Sequence, residues 1–255
     1  MTAPTPLLDF FRRGEVARDV RMLAAQGALA PRAHEQLAIL VLLVDDADPE
    51  VRATANQTLE RIPEGALKAF LARSDVAIGI REFFADRGVF PAEIPAIEVE
   101  EPLIDATPVL PDAEGEAAKP EALVQQLAKL GFTERLKMAM KGSREARAIL
   151  IRDPNKMVAA TVLSSPKLTE NEVETFSRMT NVSEETLRTI GSTRAWIKNY
   201  AVVVGLAKNP KTPLGMALNF LPRLNDRDLQ TLSMDRNVPD PLRIAARKKV
   251  VDGKK

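Results

Sequence analysis

The run Asn209-Pro-Lys-Thr-Pro-Leu-Gly-Met-Ala-Leu-Asn-Phe-Leu-Pro-Arg223 decides how this chain is read. A short polar residue opens a turn, two prolines forbid helix before Leu214, and Leu214, Leu218 and Leu221 then recur at helical spacing until Pro222 closes the segment. The same grammar recurs along the second half of the chain. Starts are placed at Asp153-Pro-Asn-Lys, Ser165-Pro-Lys-Leu-Thr, Asn181-Val-Ser-Glu-Glu, Asn209 and Asp235-Arg-Asn-Val-Pro. At each, a short polar side chain is expected to satisfy amides that a helix leaves open. Apolar residues follow in helical register: Leu168, Val173 and Phe176; Leu187 and Ile190; Val202, Val203 and Leu206; Leu229, Leu232, Leu242 and Ile244. Units this short cannot bury an apolar face alone and must stack on neighbours. Gly205 and Gly215 sit inside helical windows and are expected where neighbouring helices pack closely.

The first half reads as helices too, over residues 7–25, 31–44, 49–61, 63–72 and 76–87. Asp48-Pro-Glu-Val-Arg is a capped start with proline at the first helical position, and Ser74-Asp-Val is a second. The most apolar run, residues 37–44, is far short of the roughly 20 residues that cross a bilayer, so a buried helix is predicted. Between the halves, residues 89–120 carry six prolines and eight acidic residues against Lys119 alone, a composition that disfavours both packed helix and central strand. This segment is read as a linker, with a short apolar piece at 94–104 able to dock on a neighbouring domain. The expected organisation is therefore an N-terminal helical module at 1–88, an acidic proline-rich linker at 89–120 and a basic helical-repeat module at 121–255.

Charge divides in the same place. Residues 121–255 hold 24 basic against 14 acidic side chains, and residues 1–120 hold 12 against 21, so the whole-chain net charge of +1 hides a dipolar molecule. Mutual attraction of the halves is one reading, and an anionic partner for the basic half is the other. The chain has no cysteine and one histidine, which removes disulfides, thiolate nucleophiles and cysteine or histidine zinc sites from consideration. A cytoplasmic, reducing location fits that composition, as a periplasm also does, and the first residues do not read as a signal peptide.

The phrase Asn209-Pro-Lys-Thr-Pro-Leu, followed by Leu218, Leu221 and Asp235, resembles the leucine-rich repeat variant and related HEAT-like bacterial helical repeats, over roughly residues 142–250. Asp153-Pro-Asn matches the first part of that phrase, while the unit at Asn181 departs from it; residues 31–88 resemble HEAT-like helices in a generic way. The likeness implies an all-α, curved solenoid of the kind used as a binding surface, and it supplies no catalytic residue. Variant-repeat proteins can carry a cysteine-bound iron–sulfur module, for which this chain has no ligands.

Candidate chemistry is sparse, so no enzyme activity, cofactor or metal is expected. His34 has Glu35 beside it but no nucleophile at a telling spacing, and is read as an exposed or capping residue. Asp45 and Asp46 lack the remainder of a calcium loop and are read as loop and cap. No glycine-rich phosphate loop is present. Some helical-repeat DNA glycosylases use an aspartate in a basic groove, but Asp153 and Asp235 fall at repeat starts where capping accounts for them. Residues 132–150 form an amphipathic basic stretch interrupted by Gly142-Ser143 and are read as two short helices rather than a membrane-surface helix.

What stands out is a recurring basic side chain, at Arg144, Arg147, Arg194, Lys198, Lys208 and Lys211, with Trp196 and Tyr200 spaced four apart among them. These eight residues are the candidate partner-binding surface. The expected function is that of an intracellular protein-binding adaptor or scaffold, with an unidentified protein as partner. The alternative is nucleic-acid binding by a basic stripe that tracks phosphates.

Overall fold

The computed structural model describes residues 6–29, 31–95, 101–106 and 120–252, and among them finds sixteen α-helices, two 3-10 turns and no strand. The chain divides into two compact units, Met1–Lys167 and Leu168–Lys255. The helices between residues 120 and 164, which the sequence reading groups with the C-terminal module, fall in the first unit.

The first unit contains α1 (Pro6–Arg12), α2 (Arg18–Ala25), α3 (Ala33–Leu43), α4 (Pro49–Glu60), α5 (Glu64–Leu71), α6 (Ile78–Ala85), α7 (Pro120–Lys129), α8 (Phe132–Lys141), α9 (Arg144–Leu150) and α10 (Lys156–Ser164). The continuous helix read over 7–25 is broken into α1 and α2, because Gly14 turns through the left-handed region at φ 69°. At the centre lies α3, apolar around most of its circumference and packed against α1, α2, α4 and α6. Leu37, Leu40, Leu59, Ile62, Leu67, Phe70 and Leu71 form one buried cluster around it. That is the buried helix expected from the apolar run at 37–44, and no helix among the described residues is long and apolar enough to cross a membrane.

One buried carboxyl group joins two helices of this unit. Glu35, on α3, is 4% exposed, and its Oε1 accepts hydrogen bonds from the Leu7 and Leu8 amides at 2.9 and 3.0 Å. Those amides belong to the first turn of α1, which has no partner for them within its own helix. Ser164 of α10 faces the same carboxyl group, and α1 packs on α10. Burial pushes the Glu35 carboxyl above the ordinary glutamate range, with the hydroxyl and the two amides pulling the other way.

The second unit contains α11 (Glu170–Arg178), α12 (Glu184–Ser192), α13 (Tyr200–Lys208), α14 (Leu214–Phe220), α15 (Asp226–Met234) and α16 (Asp240–Asp252), with 3-10 turns at Trp196–Lys198 and Leu221–Arg223. Several of the expected starts are capped, most of them by a residue displaced along the chain, whereas α6, after Ser74-Asp-Val, and α14, after Asn209, begin at Ala77 and Pro213 with no side-chain cap. Asp48 caps α4 as read, accepting from the Glu50 and Val51 amides at 2.9 and 3.4 Å. Asp153 instead folds the turn, accepting from the Asn155 amide at 2.8 Å, and Asn155 is the cap of α10. Thr169 caps α11 in a reciprocal box with Glu172, and Ser183 caps α12.

Ser165 and Asn209 end helices rather than begin them, and each reaches back to the helix beneath. Ser165 Oγ donates to the Met140 carbonyl at 2.6 Å, and Asn209 Nδ2 donates to the Ser177 and Met179 carbonyls at 2.9 and 3.0 Å. Each also accepts from the amide two residues on, Lys167 and Lys211. The two helices they close, α10 and α13, begin alike at Asn155 and Asn199. The side chain therefore satisfies carbonyls that the end of α8 or α11 cannot satisfy internally.

Gly205 lets α13 sit on α11: a Cβ there would stand 2.1 Å from Ser177 Oγ. A Cβ at Gly215 would meet nothing within 4 Å, so close packing accounts for the first glycine and not the second.

Two outcomes follow for stability. Gly205→Ala should cost about 1–3 kcal/mol by overpacking, whereas Gly215→Ala, in an open helical position, should gain up to about 1 kcal/mol; urea unfolding of both variants checks the pair. Glu35 has a raised folded-state pKa, so its contribution is full below the ordinary glutamate value and is lost as pH rises through the folded value. Glu35→Gln keeps an oxygen acceptor for Leu7 and Leu8 without the charge. Its stability relative to the parent should rise with pH from about pH 4 and then level off; a difference independent of pH contradicts the assignment.

Candidate partner-binding surface

The eight sequence-predicted residues fall into three physical situations. Arg144, Arg194, Lys198 and Lys211 are exposed. Arg147 and Trp196 are buried, at 5% and 8% exposure. Tyr200 and Lys208 are held together on one acceptor.

Arg147 departs from the stripe because α9 is only seven residues long and turns that side chain inward, where its Nη1 donates to the Gly142 carbonyl at 2.8 Å. It holds the break between α8 and α9. Trp196 and Tyr200 do not share a helical face as their spacing suggests: Trp196 lies in a 3-10 turn, Asn199 is extended, and Tyr200 is the first residue of α13. The indole is core, and Tyr200 is 41% exposed.

The geometry gathers Tyr200 and Lys208 at Asp228. The Tyr200 hydroxyl donates to Asp228 Oδ2 at 2.7 Å, the Lys208 ammonium pairs with Oδ1 at 2.7 Å, and the Asn225 amide donates to the Tyr200 oxygen at 3.1 Å. Asn225 in turn caps α15 by accepting from the Asp228 amide at 2.8 Å. The Lys208 ammonium, and next the Tyr200 hydroxyl, hold the Asp228 carboxyl below its ordinary range. The result is an exposed aromatic ring whose polar tip is fixed from two sides, tying α13 to the start of α15. Asp228 and Asn225 were not singled out from the sequence. Asn225-Asp-Arg-Asp is legible as a helix cap, but nothing local shows which tyrosine that cap will meet.

Two further basic residues of the second unit, Arg178 and Arg188, are neutralised on their own helices. Arg178 pairs with half-buried Glu174 and Arg188 with exposed Glu184, both at 2.7 Å. Such pairs contribute little to stability but lower the positive potential of the face. A shallow pocket of about 230 Å³ is lined by Arg178, Thr180, Val204, Gly205, Lys208 and Asn209, and its cations are those already paired.

His34 is neither capping nor freely exposed. It is half-buried, edge-on to Phe70 at 5.5 Å between centroids, with Nε2 buried and unbonded, and burial lowers its pKa. Asp46 does serve the loop, accepting from the Asp48 amide and pairing with Arg21, both at 2.9 Å. Among the described residues no three acidic, histidine or cysteine side chains are grouped to hold a metal ion. Comparison of the chain with protein-family models, with curated proteins and with solved structures finds no match.

Proposed function

We propose that this chain is a non-enzymatic adaptor or scaffold, built as a stack of short helical repeats, that recognises a protein partner through the surface around Tyr200. The carrying observation is the exposed Tyr200 ring with its hydroxyl fixed by Asp228 and Asn225. An aromatic side chain that is already ordered before binding loses little entropy on association, which is the property of residues that dominate protein interfaces. Exposed Arg194 and Lys198 precede Tyr200 in the chain, and exposed Lys211 and Leu214 follow the end of α13, adding cationic and apolar groups to the same unit. The repeat reading is supported by the matched ties of Ser165 and Asn209, which place one polar anchor at the same point of two successive helix pairs.

Phosphate tracking by a basic stripe is the thinner reading. It needs many free cations, whereas Arg147 is buried and Lys208, Arg178 and Arg188 are paired. The two readings part on salt. Full-length protein titrated with mixed-sequence DNA and RNA should show no binding that falls by orders of magnitude between about 50 and 200 mM salt. A protein retained by the chain from a cell extract should be lost from Tyr200→Ala with a penalty of about 2 kcal/mol, roughly thirtyfold, while Tyr200→Phe, which keeps the ring and frees the tip, should fall between. Steep, salt-sensitive nucleic-acid binding that is indifferent to Tyr200→Ala would replace this proposal with the phosphate-tracking one.

A further inference from the structure

The proline-rich segment between residues 89 and 120 is not wholly apart from the helices. Residues 101–106 lie across the first unit without regular secondary structure, bending at Glu101 and Leu103, and every anchor is of a kind used to hold a peptide. Gln36, on α3 and 2% exposed, reads the backbone: its Oε1 accepts from the Leu103 and Ile104 amides at 2.8 and 3.1 Å, and its Nε2 donates to the Ile104 carbonyl. Further along, the Ala106 amide donates to the Gly27 carbonyl at 3.1 Å. Leu103 and Ile104 pack on the apolar cluster of α3 to α6. Lys141, at the end of α8, pairs with Asp105.

Gly27 is shaped for this approach. It adopts φ 74°, a conformation that favours glycine, and a Cβ there would stand 3.3 Å from Ile104 Cγ2 and 3.9 Å from the Ala106 Cβ. Main-chain hydrogen bonds from a side-chain amide and a loop carbonyl give affinity without regard to sequence. Apolar contacts for two consecutive side chains and one cation then give selectivity, so backbone and side-chain recognition are divided between different groups.

We propose that this groove is a recognition site for a bent segment of a partner protein carrying two adjacent branched aliphatic residues followed by a carboxylate, and that residues 101–106 occupy it in cis. The occupant's chemistry is read from the chain's own segment seated there, Leu103-Ile104-Asp105. Because the segment belongs to the same chain, it competes at an effective concentration of order mM for a short tether. A partner segment displaces it when its local concentration or its additional contacts exceed that. The inference rests on the first unit alone and does not depend on the reading of Tyr200.

The test uses the full-length chain carrying Leu103→Ser and Ile104→Ser, and a fluorescent hexapeptide Glu-Pro-Leu-Ile-Asp-Ala as the probe. Saturable binding should be at least about tenfold tighter than to the unaltered chain, whose own segment blocks the groove. Adding Gln36→Ala should abolish it. Adding Lys141→Glu should weaken binding of this peptide and favour one with lysine in place of its aspartate, an exchange that a merely structural strap would not produce. A variant that keeps its helical circular dichroism yet binds the hexapeptide no better than a scrambled one overturns the proposal, as does a charge exchange that moves nothing. If the double substitution costs the helical signal, Asp105→Lys takes its place, since it reverses the ion pair and leaves both apolar anchors. Hexapeptide binding to that chain no tighter than to the unaltered one equally overturns the proposal.

Discussion

Helices of seven to thirteen residues hold too few hydrogen bonds and too little apolar surface to persist alone. Everything else in this protein answers that constraint. Each helix buries one face on a neighbour, and the amides and carbonyls left open at its ends must find partners outside the helix. Side chains borrowed from adjacent helices supply them. Glu35 closes the start of α1, Ser165 and Asn209 close the ends of α8 and α11, and Gln36 does the same for a stretch of chain with no secondary structure of its own. These buried polar ties fix which helix sits on which, since a buried donor or acceptor without a partner costs about 1–3 kcal/mol.

The sequence makes the local half of this legible. Apolar spacing identifies the helices, Asp48-Pro49 identifies a cap, Gly142-Ser143 identifies a break, and of the apolar piece read at 94–104, Leu103 and Ile104 dock while Ile94 is exposed and 96–100 lie outside the described residues. It misplaces the roles of Ser165, Asn209 and Asp153, because a short polar residue beside a proline looks the same whether it opens the next helix or closes the last one. Only the carbonyl it reaches tells them apart, and that carbonyl lies 25 residues back for Ser165 and 32 for one of Asn209's partners. Arg147 and Trp196 fail for a related reason: periodicity assumes one continuous helix, and a seven-residue helix and a 3-10 turn each reset the phase.

The candidate surfaces follow from the same economy. Tyr200 is ordered because the cap of α15 presents an amide and a carboxylate to its hydroxyl, so a residue serving stability also prepares an exposed ring for contact. The groove at Gln36 is a tie whose client is a bent segment of irregular chain rather than a helix end. Both readings treat recognition as an extension of how the chain holds itself together, with binding energy drawn from groups already placed.

Native-state hydrogen exchange of the unaltered protein tests this account most directly. If the borrowed side chains join helices into cooperative units, the Leu7 and Leu8 amides, donated to Glu35 from the first turn of a seven-residue helix, should open only together with α3 and α10 and share their protection. Exchange of those two amides at the rate of an unstructured peptide, with α3 and α10 still protected, would contradict it.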